Sequence, residues 1–142
     1  MIDISAKESI TRIAKASGKI FLKQETINRI KNKEVEKGDA LTIATVSALN
    51  AVKKVPDLIP FCHPIPINNV SIEFSYEGEN ILKITCTVKS NAKTGVELEA
   101  LTGASVALLN VWDVVKKHEK DENGQYPNTQ ITDIKVEEKI KK

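Results

Sequence analysis

The sequence predicts an α+β fold of the ferredoxin-like class, a sandwich in which a four-stranded antiparallel sheet packs against helices. Four segments alternate apolar and polar residues with the period of two that is typical of strands, and the other apolar segments repeat at helical spacing. Their order along the chain is strand, two helices, two strands, helix, strand. That is the ferredoxin-like order with one extra helix in the first crossover.

The first strand and the two helices after it have clear signals. Small and apolar residues alternate along residues 11–22, where Gly18 is a candidate β-bulge. A short helix is predicted for Gln24–Lys31 and a longer one for residues 40–54, with Asp39 as its N-cap. The longer helix is apolar or small on nearly all sides, so we expect a second subunit to cover the side that its own chain leaves open.

The second half of the chain predicts the other elements. Residues 70–76 and 82–88 form a hairpin around a Gly-Glu-Asn turn, residues 97–118 form a long helix, and a polar loop leads to a last strand at residues 129–137. The residues of the long helix that we expect to point inward are Leu98, Leu101, Leu108, Leu109, Trp112 and Val115.

Length and composition fit one domain that spans residues 1–142. With 142 residues, 41% of them apolar, the chain can bury one core. Its 21 basic and 19 acidic residues are spread along the sequence, which argues against a nucleic-acid tail or a membrane-binding patch. Because no run of 18 apolar residues and no apolar leader occur, we expect a cytoplasmic protein with reduced cysteines.

The most distinctive segment is the stretch 58–67, which carries three of the five prolines. Each proline biases the residue before it toward extended geometry, so Phe61, Cys62 and His63 lie in a stiff backbone. Apolar neighbours predict that this loop is buried, and a stiff, buried loop with a polar tip is typical of a ligand site. The alternative for His63 is a core histidine with one satisfied hydrogen bond. Cys62 is expected to pack as a small apolar residue.

A zinc site is a weak hypothesis. The candidate ligands Cys62, His63, Cys86 and His118 show neither C-x-x-C nor H-x-x-x-H spacing, so we predict no metal.

Lysines flank the second helix. Lys37 and Gly38 precede its N-terminus, where free backbone N–H groups favour phosphate, although a solvated turn explains them equally well. Lys53 and Lys54 stand at its C-terminal end, where they serve either the helix dipole or an anionic ligand.

Acidic residues mark the long helix. Glu97 and Glu99 lie in its first turn. Acidic side chains there commonly stabilise the helix dipole, and the alternative is that they contact a ligand. Asp113 and Lys116 are three residues apart on one face. As an exposed ion pair they would contribute only about 0.3 to 0.5 kcal/mol to the free energy of unfolding, so a stabilising role alone does not explain them well.

Together these segments resemble the MoaC family of molybdenum cofactor biosynthesis over nearly the whole chain. The matching strings are Ile-Asp-Ile-Ser-Ala-Lys-Glu from residue 2, Lys37-Gly38-Asp39, Leu-Ile-Pro-Phe-Cys-His-Pro from residue 58, Lys-Thr-Gly-Val-Glu-Leu-Glu-Ala-Leu-Thr from residue 93, and Trp112-Asp113 followed by Lys116. Their order and separation also match.

The resemblance implies a lyase that takes a cyclised dihydroguanosine triphosphate, releases diphosphate and closes a cyclic phosphate on the pyranopterin, without a metal or organic cofactor. The residues that it implies for catalysis are Asp113, Lys116, Lys37 and His63. Those that it implies for substrate binding are Phe61, Cys62, His63, Glu97, Leu98, Glu99, Lys53 and Arg12. It also implies a hexamer built as a trimer of dimers.

Helix geometry points to shared sites as well. Glu99 and Asp113 are about fourteen residues apart on one helix, which separates them by roughly 21 Å along its axis. If both serve one small substrate, we expect Asp113 and Lys116 to reach the Glu99 and His63 of a neighbouring subunit.

Three features depart from the family pattern. Leu98 stands where the family usually has Met, a volume-conserving change. The residues from Val136 to Lys142 contain no Ser-Gly-Gly-Lys string, and the loop 119–128 is longer than the family's usual form.

Two other classes of protein remain as alternatives. A nucleic-acid-binding module would need aromatics on its sheet surface, and the sequence has only one Trp, two Tyr and three Phe. A non-catalytic nucleotide sensor or structural oligomer would not need Asp113 beside Lys116.

Overall fold

The structure, a computed structural model, describes residues 1–142 and contains four strands and four helices. In chain order they are β1 Ile10–Phe21, α1 Gln24–Lys31, α2 Ala40–Val52, α3 Val55–Leu58, β2 Asn69–Glu77, β3 Ile81–Ala92, α4 Glu97–Glu119 and β4 Gln130–Lys141. The strands form one antiparallel sheet in the order β2-β3-β1-β4. The predicted ferredoxin-like fold is therefore confirmed, including the extra helix in the first crossover.

The core lies between the sheet and the α2–α4 layer. Every second residue of β3, and of β1 from Ala14 onward, points toward the helices and is buried. Helices α2 and α4 meet this surface with small residues that let the backbones approach closely. An added Cβ at Gly103 of α4 would lie 2.6 Å from the sulfur of Cys86 on β3. Burial raises the pKa of the Cys86 thiol to about 12, so this cysteine is an inert core residue.

The inward face of α4 was only partly predicted. Leu108 and Val115 are fully buried, but Leu98 and Leu109 are 40% and 59% exposed. The face that meets the sheet is instead made of small residues, namely Ala100, Gly103, Ala104 and Ala107. Leu108 fits between α4 and the sheet because Gly18 of β1 lies opposite it, whereas Leu98 and Leu109 lie on the outer surface of the helix layer.

Helix α4 has the length and mean hydropathy of a membrane span, at 23 residues and 1.3, but half of its most apolar stretch is buried inside the fold. It packs against β1, β3 and α2. Its apolar character is therefore that of the core helix of a soluble protein.

The opposite face of the sheet carries ion pairs. Lys19 contacts Glu77 at 2.7 Å, and Lys83 contacts Glu137 at 3.3 Å. Phe74 and Tyr76 of β2 pack against the core on the helix side. A nucleic-acid surface with stacked aromatics is thus not favoured by this face.

Gly18 lies at an irregularity of the sheet, as predicted, but the extra residue is on the partner strand. The β1–β4 register shifts between Ser17 and Lys19, where two residues of β4 lie opposite Gly18. An added Cβ at Gly18 would lie 2.6 Å from Leu108 Cδ1 and 3.0 Å from Ile134 Cγ1. Close approach of α4 and β4, rather than backbone bulging in β1, is therefore the reason for glycine here.

The segment after α2 was predicted less well. Helix α2 begins after Asp39, whose carboxylate accepts the backbone N–H of Thr42 at 3.3 Å, but it ends at Val52 rather than at residue 54. The chain then forms the unpredicted single turn α3 with Pro56 near its start, a position where the missing N–H of proline costs nothing.

A buried carboxylate fixes the far end of the helix layer. Glu119, the last residue of α4, is fully buried and accepts the backbone N–H of Lys23 at 3.1 Å and the hydroxyl of Thr129 at 2.7 Å. It also accepts the hydroxyl of Thr26 in α1. This carboxylate links α1, α4 and the start of β4, which surround the C-terminal part of α4.

We predict that Gly18→Ala lowers the free energy of unfolding by about 1 to 3 kcal/mol, because the added methyl group overpacks the contact with Leu108. Chemical denaturation measures this change. In a Leu108→Ala background the same substitution is expected to cost less, since the clash is removed. Equal costs in both backgrounds would contradict the proposed contact.

Candidate functional site

The predicted site residues fall into two clusters. The first, here called the His63 cluster, contains Phe61, Cys62, His63, Glu97, Leu98 and Glu99, which line one cleft. The second, here called the Asp113 cluster, contains Lys37, Asp113 and Lys116. Lys53 and Arg12 line neither cavity. The predicted residues therefore lie in two groups within one chain, as the separation of Glu99 and Asp113 along one helix predicts.

The His63 cleft forms where the proline loop meets the start of α4, and its volume is about 360 Å³. Thr94 and Gly95, in the turn before α4, complete this side of it. An added Cβ at Gly95 would overlap the Glu97 carboxylate, so a larger residue here would displace that carboxylate from its place over the turn. The cleft thus combines apolar walls, a histidine and two carboxylates.

The two glutamates of the cleft differ electrostatically. Glu99 is only 4% exposed, and this burial, together with the nearby charge of Glu97, raises its pKa. Burial also acts against ionisation of Glu97, but the ion pair with Lys139 at 2.6 Å outweighs it, and the pKa of Glu97 is lowered. Glu97 is consequently held as a paired carboxylate, whereas Glu99 is a buried acceptor without a cation.

The proline loop is less buried than predicted. Phe61 is 78% exposed and Leu58 is 59% exposed, while Cys62 and His63 are half-buried. The loop is fixed locally, since the Cys62 backbone N–H donates to the Ile59 carbonyl at 2.9 Å. Leu58 and Phe61 therefore project from this chain, whereas Ile65 and Ile67 at the end of the loop pack against the core.

Cys62 lines the cleft rather than packing in the core. Burial, and secondarily the charge of Glu99, raises the pKa of its thiol. A raised pKa disfavours the thiolate, which is the nucleophilic form. The position of Cys62 therefore fits a contact residue and not a nucleophile.

In the Asp113 cluster one carboxylate lies between two ammonium groups. Lys37 donates to one Asp113 oxygen at 2.6 Å, and Lys116 contacts the other at 3.0 Å. The hydrogen bond from Lys37, followed by that from Lys116, lowers the pKa of Asp113. The predicted pairing of Asp113 with Lys116 is confirmed, and Asp113 is held ionised.

Further charged groups surround this pair in a cavity of about 380 Å³. Lys117 forms an ion pair with Glu36, which precedes Lys37, and so fastens this loop to α4. His118 also lines the cavity, and burial, with the charges of Arg29 and Lys117, lowers its pKa. The lining carries three lysines against the two carboxylates Glu36 and Asp113, and this excess of positive charge suits an anionic group.

The remaining two predicted residues, Arg12 and Lys53, lie outside both cavities. Arg12 donates from its Nε to the carbonyl of Ala92 at 3.3 Å, and its charge contributes to the lowered pKa of Glu97, so it lies beside the His63 cluster. Lys53 is exposed at the C-terminus of α2 and forms no ion pair. Neither residue joins the Asp113 cluster in one chain.

The two clusters lie at opposite ends of the helix layer. Lys37, just before α2, meets Asp113 far along α4, whereas Val52 at the end of α2 approaches Gly103 near the start of α4. The two helices are therefore antiparallel. Because α4 is continuous between Glu99 and Asp113, about fourteen residues of helix hold the clusters roughly 21 Å apart.

Sequence reasoning missed several residues at these clusters. Lys139 on β4 pairs with Glu97, and Met1, Ile2, Ile4 and Lys7 line the His63 cleft. The string from residue 2 to residue 8 was a signal for the N-terminal segment, but nothing in it indicated a contact with His63. Lys139 gave no signal, since lysines are frequent in that strand. No group of three or more His, Cys, Asp and Glu side chains is arranged to hold a metal ion.

The sequence matches known proteins over almost its full length. A profile of the MoaC family matches residues 1–141. A probable cyclic pyranopterin monophosphate synthase of Sulfurisphaera tokodaii is 56% identical over 141 residues, which cover 99% of this chain and 93% of that protein. Proteins with the same name from Archaeoglobus fulgidus and Pyrococcus abyssi are 55% and 52% identical, with 99% of this chain and 90% and 88% of those proteins covered. The chain belongs to the MoaC family.

Proposed function

We propose that this protein is a cyclic pyranopterin monophosphate synthase, a cytoplasmic lyase that converts a cyclised dihydroguanosine triphosphate into cyclic pyranopterin monophosphate and diphosphate. The observation that carries the proposal is the Asp113 carboxylate held between Lys37 and Lys116 in a cavity that also contains Lys117. An ionised base among cations suits a reaction that moves a proton and expels diphosphate.

The phosphate step can be written with these groups. A hydroxyl of the sugar-derived ring attacks the phosphorus nearest the ring, a new oxygen–phosphorus bond forms, and the bond to the leaving diphosphate breaks. Asp113, held ionised, accepts the hydroxyl proton. Lys37 and Lys116 neutralise the charge that develops on the diphosphate as it leaves. These roles require neither a metal nor an organic cofactor.

The His63 cleft suits the heterocycle of the same substrate. Buried Glu99 offers acceptor oxygens for the amide and amino N–H groups of a guanine-derived ring. Phe61 and Leu98 supply apolar surface against the ring faces, which is the usual composition of a small-molecule cleft. His63 lies in the same cleft, where it can exchange a proton with the ring system during its rearrangement.

The direct test is turnover of the cyclised triphosphate by purified protein. We expect one diphosphate for each cyclic pyranopterin monophosphate formed. Asp113→Asn should lower the turnover number by about 10² to 10⁴, as loss of a positioned base does. Glu122→Gln, which alters an exposed loop carboxylate, is the matched control and should retain activity. Absence of product with the unaltered protein would contradict the function.

We predict that Lys37→Ala weakens binding of inorganic diphosphate about tenfold, the effect of losing one charge-assisted hydrogen bond of about 1.5 kcal/mol. Titration calorimetry measures it, and the affinity of the unaltered protein should fall with added salt. Lys120→Ala removes an exposed lysine outside the cavity and is the control. Equal affinities in both variants would show that Lys37 only pairs with Asp113.

The separation of the two clusters supports active sites that are completed by two subunits. In one chain, the heterocycle half and the phosphate half are too far apart for one small substrate. The outer surface of the helix layer exposes apolar side chains, among them Val46 at 53% and Leu109 at 59%. A second copy packed on this surface would bury them and bring its Asp113 cluster to the first chain's His63 cluster. The hexamer implied by the family agrees with this arrangement.

Mixing two inactive variants tests the shared site. When His63→Ala and Asp113→Ala chains pair at random, about half of the dimers contain one chain of each kind. Of the two sites in such a dimer, one has both His63 and Asp113 intact. About one quarter of the activity of the unaltered protein should therefore return. Mixing Asp113→Ala with Lys37→Ala is the matched control and should restore none, because both changes fall in the same cluster. If subunits are shown to exchange and the first mixture still recovers no activity, the sites are not shared between subunits.

A further inference from the structure

The N-terminal segment, residues 1–7, has no helix or strand but is held by defined hydrogen bonds. The backbone N–H and the hydroxyl of Ser5 donate to the Asp3 carboxylate at 2.8 and 2.6 Å, and the Lys7 backbone N–H donates to the Ile4 carbonyl at 3.1 Å. The Lys93 ammonium donates to the Ser5 carbonyl at 3.0 Å. The segment is therefore folded into turns and fastened to the turn that leads into α4.

This position makes the segment one wall of the His63 cleft. Ile4 and Lys7 line it together with Phe61, His63 and Glu99. Met1 and Ile2, which also line the cleft, are 74% and 78% exposed, so burial against the rest of the chain contributes little to holding the segment there. The Lys93 hydrogen bond is the polar contact between the segment and the rest of the chain.

Among the side chains of the cleft, one lysine forms no ion pair. Glu97 is already paired with Lys139, and Lys7 is the only lysine or arginine in the lining. The Lys7 ammonium forms no ion pair and no hydrogen bond within the chain. A cation in this position is available to an anionic group of a ligand in the cleft.

We propose that Lys7 is a substrate-binding residue that contacts the phosphate retained on the heterocycle, and that Lys93 is the positioning residue that holds Lys7 at the cleft. The proposal rests on the proposed function, in which two phosphates leave as diphosphate and one stays on the ring system. The lysines of the Asp113 cluster suit the departing diphosphate. The heterocycle cleft then needs its own cation for the phosphate that remains, and Lys7 supplies it.

Kinetics with the cyclised triphosphate test both roles. Lys7→Met and Lys93→Met should each raise KM about tenfold and also lower kcat, by up to about tenfold, because the phosphate that Lys7 contacts carries the phosphorus that the hydroxyl attacks. Lys93→Arg keeps a donor for the Ser5 carbonyl and should restore most of the affinity. Lys89→Met, which removes an exposed lysine of β3 outside the cleft, is the control and should behave as the unaltered protein.

Hydrogen exchange gives a readout that does not need turnover. With the cyclised triphosphate bound to the Asp113→Asn variant, the Ser5 and Lys7 amides should exchange at least about tenfold more slowly, and Lys93→Met should abolish this protection. An unchanged KM in Lys7→Met, or unprotected amides in the presence of bound substrate, would overturn the proposal. Failure of the unaltered protein to release diphosphate would contradict the proposed function instead, and amide protection would still support the role of the segment.

Discussion

The stiffness of α4 is the constraint on which the candidate site depends. This helix runs unbroken for 23 residues, about 34 Å, and it packs against α2 and three strands, β1, β3 and β4. It carries Glu99 in its first turn and Asp113 more than three turns later. Because small residues seat it closely on the sheet, no bend in α4 can bring the two carboxylates to one substrate.

The same constraint divides the chemistry. The antiparallel helix α2 joins a lysine-bearing loop, which meets Asp113, to the proline loop, which meets Glu99. Most of the apolar lining and the acceptors Glu97 and Glu99 therefore lie at one end of the helix layer, and three lysines line the cavity at the other. A triphosphate on a purine-derived ring needs both kinds of surface. A second chain that covered the exposed Leu98 and Leu109, as we propose, would bring the two ends together.

Most of the fold could be predicted because it follows from local patterns. Period-two alternation located the four strands, and Asp39 marked the start of α2 with a hydrogen bond that the structure contains.

The inward face of α4 was not predictable from apolar character alone, since close packing on the sheet selected alanine and glycine and left Leu109 outside. Likewise, the exposure of Phe61 depends on what the chain packs against, and the pairing of Glu97 with Lys139 on β4 joins residues far apart in sequence. The spacing of Asp113 and Lys116 on one helix face is local, and their ion pair was predicted correctly.

We propose that one substrate is held by the His63 cluster of one chain and the Asp113 cluster of another. A crystal structure of the Asp113→Asn variant with the cyclised triphosphate bound measures this directly. We expect the heterocycle to contact Glu99 and His63 of one subunit. The terminal phosphates should lie within hydrogen-bond distance of Lys37 and Lys116 of the neighbouring subunit. A substrate whose ring and phosphates are all bound by residues of a single chain would contradict it.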